Sequence, residues 1–180
     1  MSAVYLDYNA TAPVRPQAAA AVARALQVGG NPSSVHAAGR AARAIIEEAR
    51  GEVAALIGAP ASTVVFTSGG TEANALAIES AVAAGARRLI VSAVEHDSVL
   101  EGARASGAEV EVLPVDAQTV ADLAWLEARL ARWDETDGKP FVALMAANNE
   151  TGVIQPVAAA AALVRGAGGW LHVDAVQAAG

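Results

Sequence analysis

Apolar and polar positions along this chain fall into two regimes. Up to about residue 60 the pattern is helical, with Ile45, Ile46, Ala49, Val53, Leu56 and Ile57 recurring at the spacing of one helix face. Pro16 suits the first position of a helix running to about Gln27, because its missing N–H is not needed there, and Gly29-Gly30-Asn31-Pro32 stops that helix. Ser34 offers an N-cap for a second helix to about Ile57, with Gly58 as the C-terminal signal and Pro60 just beyond. A short extended segment is expected at Val4 to Leu6.

From residue 62 onward, β-branched runs alternate with helical patterns. Strands are predicted at Thr63 to Thr67, Leu89 to Ser92, Val110 to Leu113, Phe141 to Met145 and Trp170 to Val173. The helices between them are predicted at about Thr71 to Ala84, Ser98 to Ser106, Val120 to Trp133 and Pro156 to Ala167. Such alternation implies crossover units and a three-layer α/β architecture, a mainly parallel sheet with flanking helices. Two regions follow: an N-terminal segment with its helices over residues 1–60, and an α/β domain over 61–180. The last residues, Ala178-Ala179-Gly180, follow a strand and its turn with no capping helix. That pattern gives the expectation of a cut chain rather than a natural end.

The predicted strands end at polar or glycine-rich turns, which carry Ser68-Gly69-Gly70-Thr71, Glu95-His96, Asn148-Asn149-Glu150 and His172 to Gln177. Ligands of open α/β sheets bind beyond the carboxyl ends of the strands, so these turns are expected to form one site. Gly69-Gly70-Thr71 opens a helix whose free N–H groups and dipole suit a phosphate, although a tight turn with a Ser/Thr cap explains the same residues. His96 is placed to stack on an aromatic ligand or to exchange protons, or simply to cap a helix. Asn149 can donate to or accept from a ligand oxygen, or belong to an asparagine-rich turn. Asp174 suits a buried cation or a helix cap, and Gln177 shares its face if the chain turns helical there. A phosphate arm, a stacked ring, a protonated ring nitrogen and a phenolic oxygen together describe pyridoxal 5'-phosphate.

Composition narrows the choices. The 180 residues are 54% hydrophobic, much of it alanine, which predicts a globular protein with a thin core. The 12 basic against 19 acidic residues give a net charge of -7, which argues against a nucleic-acid partner. No apolar run approaches the roughly 20 residues of a membrane span, and the start from Met1 to Asp7 lacks the pattern of a secretory leader. A soluble protein in the cytoplasm is the default expectation. Cysteine is absent, which removes disulfides and thiolate metal sites, and Lys139 is the only lysine.

Taken together, Val4 to Pro13, Gly30 to His36, Phe66 to Asn74, Glu95-His96, Asn148 to Gly152 and His172 to Gln177 resemble the cysteine desulfurases, class V members of the fold-type-I pyridoxal-phosphate enzymes. The resemblance runs in order from about Val4 to Gly180 and covers roughly the N-terminal half of a typical member, with Asn9 a small departure. It implies that Gly70 and Thr71 bind the cofactor phosphate, His96 stacks on the ring, Asn149 and Gln177 approach the phenolic oxygen, and Asp174 pairs with the ring nitrogen. Asp7 to Pro13 and Asn31 to His36 would border the site.

The implied reaction converts L-cysteine to L-alanine and passes the sulfur to an enzyme cysteine as a persulfide. It needs a Schiff-base lysine and that cysteine. Lys139 precedes a strand and so lies at the wrong edge of the sheet. Both nucleophiles are expected after Gly180, together with two further strands and a C-terminal small domain. The large domain would then be incomplete, with an exposed apolar face prone to aggregation, and the 180 residues inactive alone. A sulfur-acceptor protein and a homodimer are the implied partners. Another class V enzyme, such as a selenocysteine lyase or an aminotransferase, and a noncatalytic remnant that binds pyridoxal phosphate are the alternatives.

Overall fold

The computed structural model describes residues 4–179. Met1 to Ala3 and Gly180, on which the readings of the two chain ends partly rest, lie outside the described residues. The chain divides into two compact units, up to Phe66 and from Thr67.

In the first unit, helix α1 spans Pro16–Leu26 with its proline at the first turn, and helix α2 spans Ala37–Ile57. The cap of α2 is His36 rather than Ser34: its Nδ1 accepts the Gly39 N–H at 3.4 Å. The N–H of Ser34 is itself tied to the Asn31 carbonyl at 2.9 Å, in a turn that delays the helix. Gly39 is required there, because a Cβ would collide with the carbonyls of Ser34 and Asn31. Gly58 closes α2 in the left-handed region at φ 65°. The apolar stripe predicted for α2 is open over its last turn, where Leu56 and Ile57 are exposed.

The predicted strand at Thr63 to Thr67 is not formed. Ala61–Thr63 make a single 3-10 turn, and residues 64–66 have no ladder partner among the described residues. A β-branched run becomes a strand only when a neighbour takes its N–H and C=O groups. Arg50 takes the Val64 carbonyl at 2.5 Å and sits 5.0 Å over the Phe66 ring, while Val65 stays exposed. Val4 to Leu6 likewise forms no strand.

The second unit is the three-layer domain. Its elements are α3 (Gly70–Ala83), β1 (Arg88–Ser92), α4 (Asp97–Ala105), β2 (Glu109–Leu113), α5 (Leu123–Leu130), β3 (Phe141–Ala143), α6 (Val157–Gly166) and β4 (Trp170–His172). The sheet is parallel throughout, in the order β2-β1-β3-β4. Leu89 of β1 sits between Val110 and Phe141, and Phe141 opposite Trp170.

Side-chain alternation along the strands divides the core. Leu89, Val91, Phe141 and Ala143 pack with Ile78 and Ala81 of α3 and with Val99 and Ala103 of α4. Ile90, Val142 and Leu144 pack on the other face with Leu126 and Leu130 of α5 and with Ala160 and Val164 of α6. The central strands are buried on both faces, as parallel sheets require. Alanines at 81, 103, 143 and 160 let the layers approach closely, the structural counterpart of the composition.

Chain direction places the site. From β1 the chain moves outward through α4 to β2, then returns through α5 to β3 on the other side of β1. The strand order therefore reverses between β1 and β3, and a crevice opens beyond their carboxyl ends.

Candidate functional site

Three turns leave the sheet beside that reversal: Ala93 to His96 after β1, Leu144 to Thr151 after β3, and Val173 to Gln177 after β4. Two side chains tie the first two together. Glu95 Oε1 accepts the Met145 N–H at 2.5 Å, and Asn148 Nδ2 donates to the Val94 carbonyl at 3.0 Å. Asn148 Oδ1 then accepts the N–H groups of Glu150 and Thr151, at 2.9 and 2.7 Å, which fixes the loop carrying half-buried Asn149. The third turn joins by backbone, Ala146 N–H to the Asp174 carbonyl at 2.8 Å.

Asp174 is buried, with 8% of its surface exposed. Its Oδ2 accepts from Asn74 Nδ2 at 2.9 Å and its Oδ1 from the Val176 N–H at 3.0 Å. Both donors are neutral, and no cation pairs with this carboxylate among the described residues. A buried carboxylate has about four lone-pair sites, so two neutral donors leave room for a cationic N–H.

Asn74 belongs to the second turn of α3 and is the hub of the site. Besides Asp174 it donates to Ser98 Oγ at 2.9 Å, and its Oδ1 meets His172 Nε2 at 2.9 Å. Burial holds the His172 imidazole below its ordinary pKa, opposed by the Asp174 charge, so this ring is neutral at pH 7. His96 is exposed and caps α4, its Nδ1 accepting the Ser98 N–H at 3.1 Å and lying 2.8 Å from Ser98 Oγ. The capping alternative for His96 is thus realised, and the same bonds fix its ring at the site.

The phosphate candidates stand at the start of α3. The first N–H groups of the helix have no intrahelical acceptor, and Ser68 to Thr71 are exposed, so these donors are open. Gly70 comes close to the third turn, since a Cβ there would sit 3.3 Å from Val176 Cγ2. Glu72 takes the Ser68 N–H at 2.6 Å, and its bonds to Ser68 hold its carboxyl below the usual range. Gln177 is exposed in a single turn after β4, not in a helix, and follows the residue that meets Gly70.

Glu95 stands in one of the turns singled out from the sequence, but no role is assigned to it there. It is buried with 6% exposed, its Oε2 finds no hydrogen-bond partner among the described residues, and burial raises it from an ordinary 4.5 to about 7. The Met145 N–H opposes that rise and the Asp174 charge adds to it. Lys139 lies as expected at the opposite edge, exposed, with Nζ 4.0 Å from the Trp170 ring centroid.

An open helix N-terminus, a fixed imidazole and a buried acid with no cation among the described residues gather at a strand-order reversal, so the fold is a parallel α/β domain with its candidate site at the carboxyl edge of the sheet. The aminotransferase class-V model matches residues 4–180, and the chain belongs to that family, whose members are pyridoxal-phosphate enzymes. Cysteine desulfurase 2 of Trichormus variabilis is 42% identical over 186 residues, covering 100% of this chain and 46% of that protein. The solved NifS-like protein of Rickettsia africae superposes with a TM-score of 0.88 at 32% identity, over 97% of this chain and 48% of that one. A structure described as SspA in complex with cysteine gives 0.84 at 26% identity, over 94% and 49%. The chain spans about half the length of the relatives it matches.

Proposed function

We propose that these residues form the cofactor-holding part of a pyridoxal-phosphate-dependent cysteine desulfurase, which takes L-cysteine to L-alanine and passes the sulfur to an enzyme thiolate as a persulfide. The observation that carries the reading is Asp174, an acid buried beyond β4 that accepts from two neutral donors and has no cation among the described residues. A protonated pyridine nitrogen supplies the missing charge. The cysteine desulfurase names of the relatives, and the cysteine held by one solved neighbour, support the substrate.

Pyridoxal phosphate would supply an electron sink next to the substrate's α-carbon. In this reading Asp174 holds the proton on the ring nitrogen, His96 covers one face of the ring, and the N–H groups of Gly70 and Thr71 receive the phosphate. Asn149 and Gln177 approach the phenolic oxygen. The lysine that carries the cofactor and the cysteine that takes the sulfur are not among these 180 residues, since cysteine is absent and Lys139 sits at the far edge. We infer that the 180 residues alone bind the cofactor without turnover, and that a sulfur-acceptor protein and a second copy of the chain belong to the working enzyme.

Titration with pyridoxal phosphate, followed by assay of alanine release from L-cysteine by the protein at its natural length, tests this. Saturable binding with alanine formed and sulfur recovered as persulfide is the expected result. Binding without alanine release would sink the desulfurase reading and leave another class V reaction.

A further inference from the structure

The hydrogen bonds around Asn74 have only one consistent set of proton directions. A carboxylate accepts and cannot donate, so Asn74 must turn Nδ2 toward Asp174 and Oδ1 toward His172. Oδ1 can only accept, so neutral His172 carries its proton on Nε2. The second Nδ2 hydrogen goes to Ser98 Oγ, which leaves the Ser98 hydroxyl proton to donate to His96 Nδ1. The Ser98 backbone N–H points to the same nitrogen, so Nδ1 of His96 is an acceptor and the ring proton lies on Nε2.

We propose that Asn74 and Ser98 are positioning residues that transmit the polarity of the Asp174 carboxylate to His96, setting the tautomer of the imidazole that faces the cofactor. Its functional sense rests on the reading above, in which His96 and Asp174 contact the same ring. The relay spans α3, α4 and the end of β4, so Asn74 locks three elements to one acid. Each bond polarises the next, because a hydroxyl that accepts from an amide is a better donor. Neither residue touches the reacting atoms in this scheme.

Nitrogen-15 spectra of the histidines in the protein at its natural length, without cofactor, test the relay apart from the cofactor reading. These 180 residues contribute three histidines, His36, His96 and His172, whose signals are assigned by substituting each in turn. His96 and His172 are expected as Nε2–H tautomers; a proton on Nδ1 of either ring overturns the proposal, whether or not any variant folds. Asn74→Ala is expected to move the His96 Nδ1 resonance, and that response is expected to vanish in a Ser98→Ala background. Asn74→Asp, which keeps the shape and draws the Ser98 hydroxyl away, should move it in the same direction. A His96 resonance indifferent to both substitutions at Asn74 refutes transmission through Ser98. Pyridoxal-phosphate affinity is then read separately, with a loss of about tenfold expected for Asn74→Ala, the scale of one hydrogen bond to a charged group. Failure of the native protein to bind pyridoxal phosphate would count against the cofactor reading while leaving the tautomer result intact.

Discussion

The two edges of the same sheet treat charge in opposite ways. At the amino edge the acids packed on the sheet have cations: Arg88 reaches Glu109 at 2.6 Å and Asp137 at 2.9 Å, and Arg129 reaches Glu111 at 2.8 Å. Arg129 also lies 4.8 Å from the Trp133 ring centroid, and Lys139 covers Trp170. At the carboxyl edge Asp174 and Glu95 are more deeply buried and have no cation among the described residues. Ion pairs closed on themselves fasten strands together; buried acids left open cost stability and are kept where a ligand supplies the partner. The difference separates an edge closed by ion pairs from an edge that carries the candidate site.

The largest expected effect is at Asp174. Asp174→Asn keeps the shape but removes the charge, and should lower pyridoxal-phosphate affinity by tenfold or more, about 1.5–3 kcal/mol for a charged hydrogen bond, when measured by titration. At the other edge Asp137→Asn should leave that affinity unchanged while lowering stability by about 1 kcal/mol in chemical denaturation. Equal losses of cofactor affinity in the two variants would erase the distinction.

Glu95 gives the next effect, in pH dependence. Its carboxyl is raised from 4.5 to about 7 in the folded state, so the native chain holds a proton that the unfolded chain releases. Stability is therefore fully present below about 4.5 and is lost as pH rises to 7, by about 3 kcal/mol if the whole shift is expressed. Glu95→Gln, which cannot ionise, should flatten that decline and be more stable than the native protein above pH 7. His172 works in reverse: its lowered pKa makes the fold lose stability as pH falls below 6.5. Denaturation curves across pH 4–8 separate the two, and an unchanged slope in the Glu95 variant would contradict the assignment. The smallest effect is at Lys139, where Lys139→Gln should cost about 0.5 kcal/mol through the lost ring contact and leave cofactor binding untouched.

Much of this was legible because it is local. The four strands that form, and the helices between them, follow from alternation and turn residues, and Asp174 and His96 stand out because they follow apolar runs. What stayed hidden depends on distant partners. Asn74 meets Asp174 across 100 residues and Ser98 across 24, so its polar side chain reads as an ordinary helix position until the layers are packed. Glu95 carries no role in the sequence reading, because nothing local shows that its carboxyl turns in to Met145, 50 residues on. The run at Thr63 to Thr67 misled in the other direction, having a strand's composition without a ladder partner. Ser34 lost the cap of α2 to His36 through the turn at Asn31.

The central claim is that the open acids mark the cofactor end. A crystal structure of the protein at its natural length with pyridoxal phosphate tests it most directly. The account requires the ring nitrogen within hydrogen-bond distance of Asp174 and the phosphate on the N–H groups at the start of α3. A cofactor bound elsewhere, or bound at this edge with its ring nitrogen turned away from Asp174, would contradict it.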